Sequence, residues 1–139
     1  MRTINYYSEK PKQKERVVID NRAVIFIRRN ITDESYTDEE GNTVERWSAI
    51  EYTTKVNANF KDWQSAEFAQ KVIDIDTEAE AKKVREKRNE LLDMTDKELM
   101  ADRGHTDEEL EAWKAYRQAL RDIPKQKGFP WEVEFPTIP

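Results

Sequence analysis

Few side chains in this sequence could perform chemistry. His105 is the only histidine, and the chain has no cysteine. A thiolate nucleophile is therefore excluded, and so is a zinc or iron site built on several Cys or His ligands. His105 lies between a glycine and a threonine, which indicates a loop residue more than a catalytic base. The three glycines are scattered, so there is no glycine-rich loop of the kind that holds phosphate groups.

Two groups of carboxylates also have simple structural interpretations. The acidic run at residues 38–40 precedes Gly41 but lacks the ligand spacing of a calcium loop, so it reads as a turn. Glu132 and Glu134 alternate with apolar residues, as the solvent face of an extended segment does. A mobile tail does not hold two acids at the fixed separation that glycoside hydrolysis requires. We therefore expect that the protein is not an enzyme and carries no metal or organic cofactor.

Residues 106–139 contain features that are typical of a binding segment. Thr106 and Glu109 have capping-box spacing and are followed by apolar residues three and four apart, which predicts a helix. Pro124 should end that helix, because proline has no amide to donate. After Gly128 the chain reads FPWEVEFPTIP, an extended tail with three large aromatic residues. Such a tail either docks on a partner, where aromatic anchors dominate interface energetics, or folds back onto its own helix.

This segment resembles the C-terminal signature of bacteriophage tail fibre assembly and tail assembly chaperone proteins. The strings that carry the resemblance are AWKAYRQALRDIP, then GFP, then the final FPTIP. Phe135 and Pro136 stand where that family usually has Trp-Pro, a conservative departure. The resemblance and the aromatic content together mark nine candidate partner-binding residues, on the helix and on the tail: Trp113, Tyr116, Arg117, Arg121, Phe129, Pro130, Trp131, Phe135 and Pro136.

The two arginines among these candidates have a structural alternative. Arg117 and Arg121 lie one helical turn apart. Ion pairing within the chain is as consistent with their spacing as direct recognition of a partner. The acidic groups that the sequence offers for such pairs are Asp122, Glu111 and Glu132.

The upstream sequence changes from strand-like to helix-like patterns. Residues 16–20, 22–34 and 43–56 are rich in β-branched and aromatic residues, and turn signals at 20–21 and 38–42 separate them. They predict a small antiparallel β-meander. Helical spacing follows, with a break expected near residues 76–77 and then a charged helix that has a thin apolar stripe.

The predicted fold class is therefore α+β: an N-terminal antiparallel β-meander, two or three helices and an extended Pro- and aromatic-rich C-terminal tail. The expected organisation has four parts. These are a flexible leader at 1–15, the β-meander with a packed helix at 16–75, a charged helical connector at 76–105, and the C-terminal amphipathic helix with its tail at 106–139.

Charge and hydropathy limit the expected partners. The net charge is −5, from 24 basic and 29 acidic residues, and neither part of the chain has the basic footprint that nucleic-acid binding requires. No run of about 18 apolar residues occurs, so no membrane span is expected. We expect a protein of the host bacterial cytoplasm or of the virion, with a phage tail or tail fibre protein as partner. The charged helix could also support a homo-oligomer.

The function that the resemblance implies is that of a phage or prophage tail-region binding protein, a chaperone or accessory factor for tail or tail fibre assembly. Two alternatives stay open. One is a permanent structural component of the virion, such as a baseplate or tail-tip adaptor. The other, less favoured, is a regulatory interaction domain unrelated to phage.

Overall fold

Six β-strands precede the helices along the chain. The structure, a computed structural model, describes residues 1–139 and has an antiparallel four-stranded sheet in the order β1-β6-β3-β2. A separate two-stranded hairpin, β4-β5, lies in the connection between β3 and β6. The strands are β1 (Arg2–Tyr7), β2 (Lys14–Ile19), β3 (Arg22–Asp33), β4 (Tyr36–Thr37), β5 (Thr43–Val44) and β6 (Trp47–Asn57). The predicted antiparallel sheet followed by helices, and with it the α+β class, is confirmed.

Both predicted turns are present, and each has a local cause. Ile19 pairs with Arg22 across a two-residue turn in which Asp20 adopts a φ of 54°. Asp tolerates this left-handed backbone better than most residues. In the second loop the Asp38 carboxylate accepts hydrogen bonds from the backbone amides of Asn42 at 2.8 Å and Glu40 at 3.0 Å. The acidic run therefore stabilises a turn.

The segment expected to be a flexible leader contains a strand. Strand β1 pairs antiparallel with β6, with Arg2 opposite Tyr52 and Tyr7 opposite Trp47. The expectation of a flexible leader over residues 1–15 is therefore wrong at Arg2–Tyr7. Four of its six residues, Thr3, Ile4, Tyr6 and Tyr7, are β-branched or aromatic and favour a strand. Strand β6 supplies the hydrogen-bonding edge with which this segment pairs.

One face of the sheet packs against the start of the first long helix, α1 (Ala66–Thr95). Arg29 donates to the side-chain oxygen of Gln70 at 2.9 Å, and Lys14 donates to the carbonyl of Ser65 at 2.9 Å. The buried apolar residues of this layer come from β3, β6 and the first turns of α1: Ala23, Ile25, Ile27, Tyr52, Ala69, Val72 and Ile73. Their burial closes the core of the first compact unit, Met1–Asp76.

Helix α1 runs without interruption from Ala66 to Thr95. The break expected near residues 76–77 is absent, because neither Asp76 nor Thr77 removes a backbone amide and helix propensity alone does not end a helix that packing holds. A second helix, α2 (Asp107–Asp122), follows two short 3-10 turns. The second compact unit, Thr77–Pro139, contains the last part of α1, α2 and the tail. None of the helices has the length and apolar character that a membrane crossing demands.

Candidate partner-binding site

The start of α2 is fixed by the capping box that its sequence predicts. The amide of Glu109 donates to the hydroxyl of Thr106 at 3.2 Å, and the amide of Thr106 donates to the Glu109 carboxylate at 2.9 Å. This backbone bond holds the pKa of Glu109 below its ordinary value. His105 is a loop residue, as expected, with its Nε2 3.1 Å from a carboxylate oxygen of Glu98. The helix ends at Asp122, two residues before Pro124, as predicted.

Helix α2 buries its apolar side against the C-terminal half of α1. Leu120 and Ile123 are fully buried, and Tyr116 and Val84 are nearly so. Leu91, Leu92 and Trp113 pack around this cluster. The thin apolar stripe of the charged helix is therefore covered within its own unit. Because this stripe is covered, it offers no free apolar surface for the homo-oligomer that was expected to form through the charged helix.

The aromatic tail folds back onto the same cluster. Phe129, Val133 and Phe135 all pack against it. The guanidinium of Arg85 lies 5.2 Å from the centre of the Phe129 ring, and the ammonium of Lys87 lies 4.3 Å from that of Phe135. Such cation–π contacts add to the apolar burial. Of the two roles left open for the tail, packing on its own helices is the one that the structure shows.

Two features hold the tail in its returning path. The side-chain amide of Gln126 donates to the carbonyl of Glu134 at 2.8 Å and accepts from the amide of Glu134 at 2.8 Å. The Gln126 side chain thus bonds both backbone groups of Glu134, as a neighbouring strand would. At the turn, the carbonyl of Gly128 accepts hydrogen bonds from the amides of Trp131 and Glu132. A Cβ on Gly128 would stand 2.3 Å from the Glu132 carbonyl oxygen, so only glycine fits there.

Arg117 is a buried internal clamp and not an exposed recognition residue. Its guanidinium donates to the carbonyl of Leu92 at 2.5 Å and to the hydroxyl of Thr95 at 2.8 Å, and it pairs with the Asp96 carboxylate. Leu92 and Thr95 lie in the last turn of α1, where helical carbonyls have no partners within the helix, and Asp96 follows that helix directly. The arginine thus ties the two helices together. The intrachain partners suggested for it by sequence, Asp122, Glu111 and Glu132, are wrong, because the side chain points across to α1 and not along α2.

The nine sequence-predicted site residues fall into three groups. Three are buried: Tyr116, Arg117 and Pro130. Five are half-buried: Trp113, Phe129, Trp131, Phe135 and Pro136. Arg121 is exposed. The structure brings the helix candidates and the tail candidates into one unit. The buried members build the unit and present no surface to a partner. The half-buried rings and Arg121 remain accessible to one.

Two further residues contribute to this unit without any signal in the sequence. Gln126 has an ordinary loop-residue context, and its role depends on where the tail returns. Glu98 is buried beside Arg103, whose guanidinium donates to it at 2.5 Å and holds its pKa below the ordinary value. Both are polar residues next to a turn. In the sequence they look like ordinary solvent-exposed residues, and only the structure shows their hydrogen-bond partners.

The fold and this site together define a small α+β protein whose C-terminal helical unit is closed by its own aromatic tail. A family model described as phage tail assembly chaperone protein matches residues 81–139. That range lies within the second compact unit, Thr77–Pro139. The family resemblance seen in the sequence is confirmed over this range. No curated protein and no solved structure matches the chain.

Proposed function

We propose that this protein assists phage tail assembly by binding a tail or tail fibre subunit until that subunit is incorporated. The family match over residues 81–139 supports a role in tail assembly and carries the proposal. The matched range contains every element of the closed helix-and-tail module, from Val84 on α1 to Phe135 in the tail. The proposed role is non-enzymatic and needs no cofactor. Its site of action is the host cytoplasm, where tail subunits are made.

The accessible candidates of the helical unit form the proposed recognition surface. Arg121 is exposed on α2, and Trp113, Trp131 and Pro136 are half-buried. Arginine and tryptophan are the residues most enriched among interface hot spots. The tail that presents Trp131 is already held by Gln126 and the Gly128 turn, so little entropy is lost when a partner docks on it.

The test is co-expression of the chain with the tail or tail fibre protein encoded beside it, scoring soluble complex. Deleting residues 129–139 is a poor variant, because it removes Phe129 and Phe135 from the core of the helical unit. The sharper variant is Arg121→Glu, which reverses an exposed charge. Lys83→Glu is its matched control, since Lys83 is exposed on α1 and pairs only with Glu80 at 3.0 Å.

The expected result is soluble complex with the wild-type chain and with Lys83→Glu, and at least about tenfold less with Arg121→Glu. Equal rescue by both variants would show that recognition does not use the α2 surface. Failure of the wild-type chain to hold any neighbouring tail protein in solution would overturn the proposal. Recovery of the protein in stoichiometric amounts from purified particles would favour the alternative of a permanent virion component.

A further inference from the structure

Strand β2 leaves one edge of the sheet open. It pairs with β3 on one side only, and the strand order places it at the end of the sheet. The side chains of its last three residues are exposed: Val17 by 40%, Val18 by 48% and Ile19 by 63%. Exposed apolar edge strands are templates for adding another strand, and natural proteins usually guard them.

The register shows which backbone groups of β2 are open. The amide of Arg28 donates to the carbonyl of Gln13 at 2.8 Å, so residue 13 is turned towards β3. In an antiparallel pair such bonding positions alternate along the strand. The odd-numbered residues of β2 are therefore turned inward, and Lys14, Arg16 and Val18 direct their amides and carbonyls outward. None of these three residues takes part in the backbone hydrogen bonds made outside the sheet.

The cations on this strand do not guard the edge. Lys14 donates to the carbonyl of Ser65, and Arg16 donates to the carbonyl of Ala58. Both side chains are thus drawn over the helix-covered face of the sheet. The other edge is different, because the guanidinium of Arg46 lies 4.2 Å from the centre of the exposed Tyr6 ring on β1. A charged group stands over β1, whereas the cations of β2 are turned to the helix-covered face and its Glu15 carboxylate pairs with Arg28.

We propose that the β2 edge pairs with the β2 edge of a second copy of this chain, antiparallel about a two-fold axis at Val17. This register places Arg16 opposite Val18 of the second copy, and both residues have outward backbone groups. Each such pair exchanges two hydrogen bonds, and the two-fold axis repeats the pair. The two sheets become one continuous sheet of eight strands.

The side chains make this edge self-complementary in this register, as pairing about a two-fold axis requires. About an axis at Val17 the two valines face each other, and Glu15 faces Ile19 of the second copy. No like charges are opposed. An axis one residue earlier, at Arg16, would place two guanidinium groups directly opposite each other, which is unfavourable.

The test measures the association state of the full-length chain by sedimentation equilibrium. Two variants place a charge on the axis, Val17→Lys and Val17→Glu. In a non-hydrogen-bonded antiparallel pair the facing Cα atoms are about 4.5 Å apart, so identical charges there repel strongly. Ile4→Lys is the matched control, because Ile4 is an equally apolar and exposed residue on the β1 edge, 57% accessible. Circular dichroism establishes that each variant is folded.

The expected result is a dimer for the wild type and for Ile4→Lys. Dimer dissociation constants should rise at least about tenfold for each Val17 variant alone. An equimolar mixture of Val17→Lys and Val17→Glu should recover the dimer, because the axis then pairs opposite charges. A monomeric wild type would overturn the proposal, and so would a dimer that Val17→Lys leaves intact or that the mixture fails to restore.

Discussion

The sheet unit and the helical unit each bury an arginine, and they neutralise it differently. In the sheet, Arg28 pairs at 2.7 Å with Glu51, and the two side chains are only 6% and 7% exposed. In the helical unit, the Arg117 side chain is also 6% exposed, but that of its partner Asp96 is 63% exposed. The sheet therefore buries both members of its ion pair, and the helical unit buries one and leaves the other in water.

This difference determines what each unit loses when its arginine is removed. A carboxylate that stays buried without its partner is very unfavourable, because the folded chain cannot rehydrate it. An exposed carboxylate is already hydrated and loses little. The position of the acid, more than that of the arginine, decides how strongly the pair is required.

The largest effect is expected for Arg28→Met. It leaves Glu51 buried and charged, and it removes the guanidinium that Tyr7 and Glu15 also contact. The free energy of unfolding of the sheet unit should fall by about 3–5 kcal/mol. Hydrogen exchange resolved along the chain measures this for β3 and β6. Adding Glu51→Leu should recover part of the loss, and an equally unstable double variant would contradict the argument.

Arg117→Met should be less costly. It leaves the carbonyl of Leu92 and the hydroxyl of Thr95 without their donor, whereas Asp96 stays hydrated. The helical unit should lose about 1–3 kcal/mol. The same exchange measurement, read over α2 and the tail, tests the contrast. A loss equal to that of Arg28→Met would remove the distinction between the two pairs.

A glycine in each unit offers the next comparison. Gly128→Ala should destabilise the helical unit by about 1–3 kcal/mol, because the new methyl group collides with the Glu132 backbone. Gly41→Ala, in the β4–β5 loop, meets no atom within 4 Å and carries only the strain of its φ of 84°, about 1 kcal/mol. Thermal unfolding followed by tryptophan fluorescence measures both. Equal losses would show that the tail turn can relax around a side chain.

Tyr116→Phe should leave stability unchanged or raise it by up to about 1 kcal/mol. The hydroxyl of Tyr116 is buried in the helical core and has no hydrogen-bond partner. Removing it abolishes the cost of dehydrating that group without opening a cavity. Denaturant unfolding monitors the change. A clear loss of stability would mean that the hydroxyl makes a bond, through water for example, that the helical unit needs.

The smallest expected effect is on the pH dependence of the stability of the helical unit. Arg103 holds the pKa of Glu98 below its ordinary value, chiefly by a direct hydrogen bond. A lowered folded-state pKa contributes stability above the unfolded-state value of about 4.3, and this is lost as pH falls through the folded-state pKa. Glu98→Gln should flatten the acid limb of the helical unit's stability curve and leave that of the sheet unit unchanged. A change confined to β-sheet signals would contradict the assignment.

Local patterns in the sequence were sufficient for several features. The Thr106–Glu109 capping box, the stop before Pro124 and the turn at Asp20 each involve groups only a few residues apart. The thin stripe of α1 packs inward as its spacing predicts, with Val84 buried and Leu91 and Leu92 partly buried.

Other features of the candidate site depended on distant groups. Nothing near Arg2–Tyr7 indicates that β6 pairs with it. The acids nearest to Arg117 in sequence were the natural partners to suggest, yet the side chain binds the end of α1, more than twenty residues earlier. The expected break near residue 77 failed for the related reason that a good N-cap sequence does not by itself interrupt a helix.

The sequence by itself determined the turns, the caps, the faces of the elements and the family resemblance of the C-terminal segment. The resemblance follows from the order of residue types alone. The turns, the caps and the faces follow from hydrogen bonds and steric contacts between near neighbours, which are nearly the same in any fold. Only the tertiary structure decided that the aromatic tail closes its own helical unit and that Arg117 is a clamp. It also decided that β2 is left as an open edge. Burial and hydrogen-bond partners across the chain depend on which segments meet, and that is a property of the whole fold.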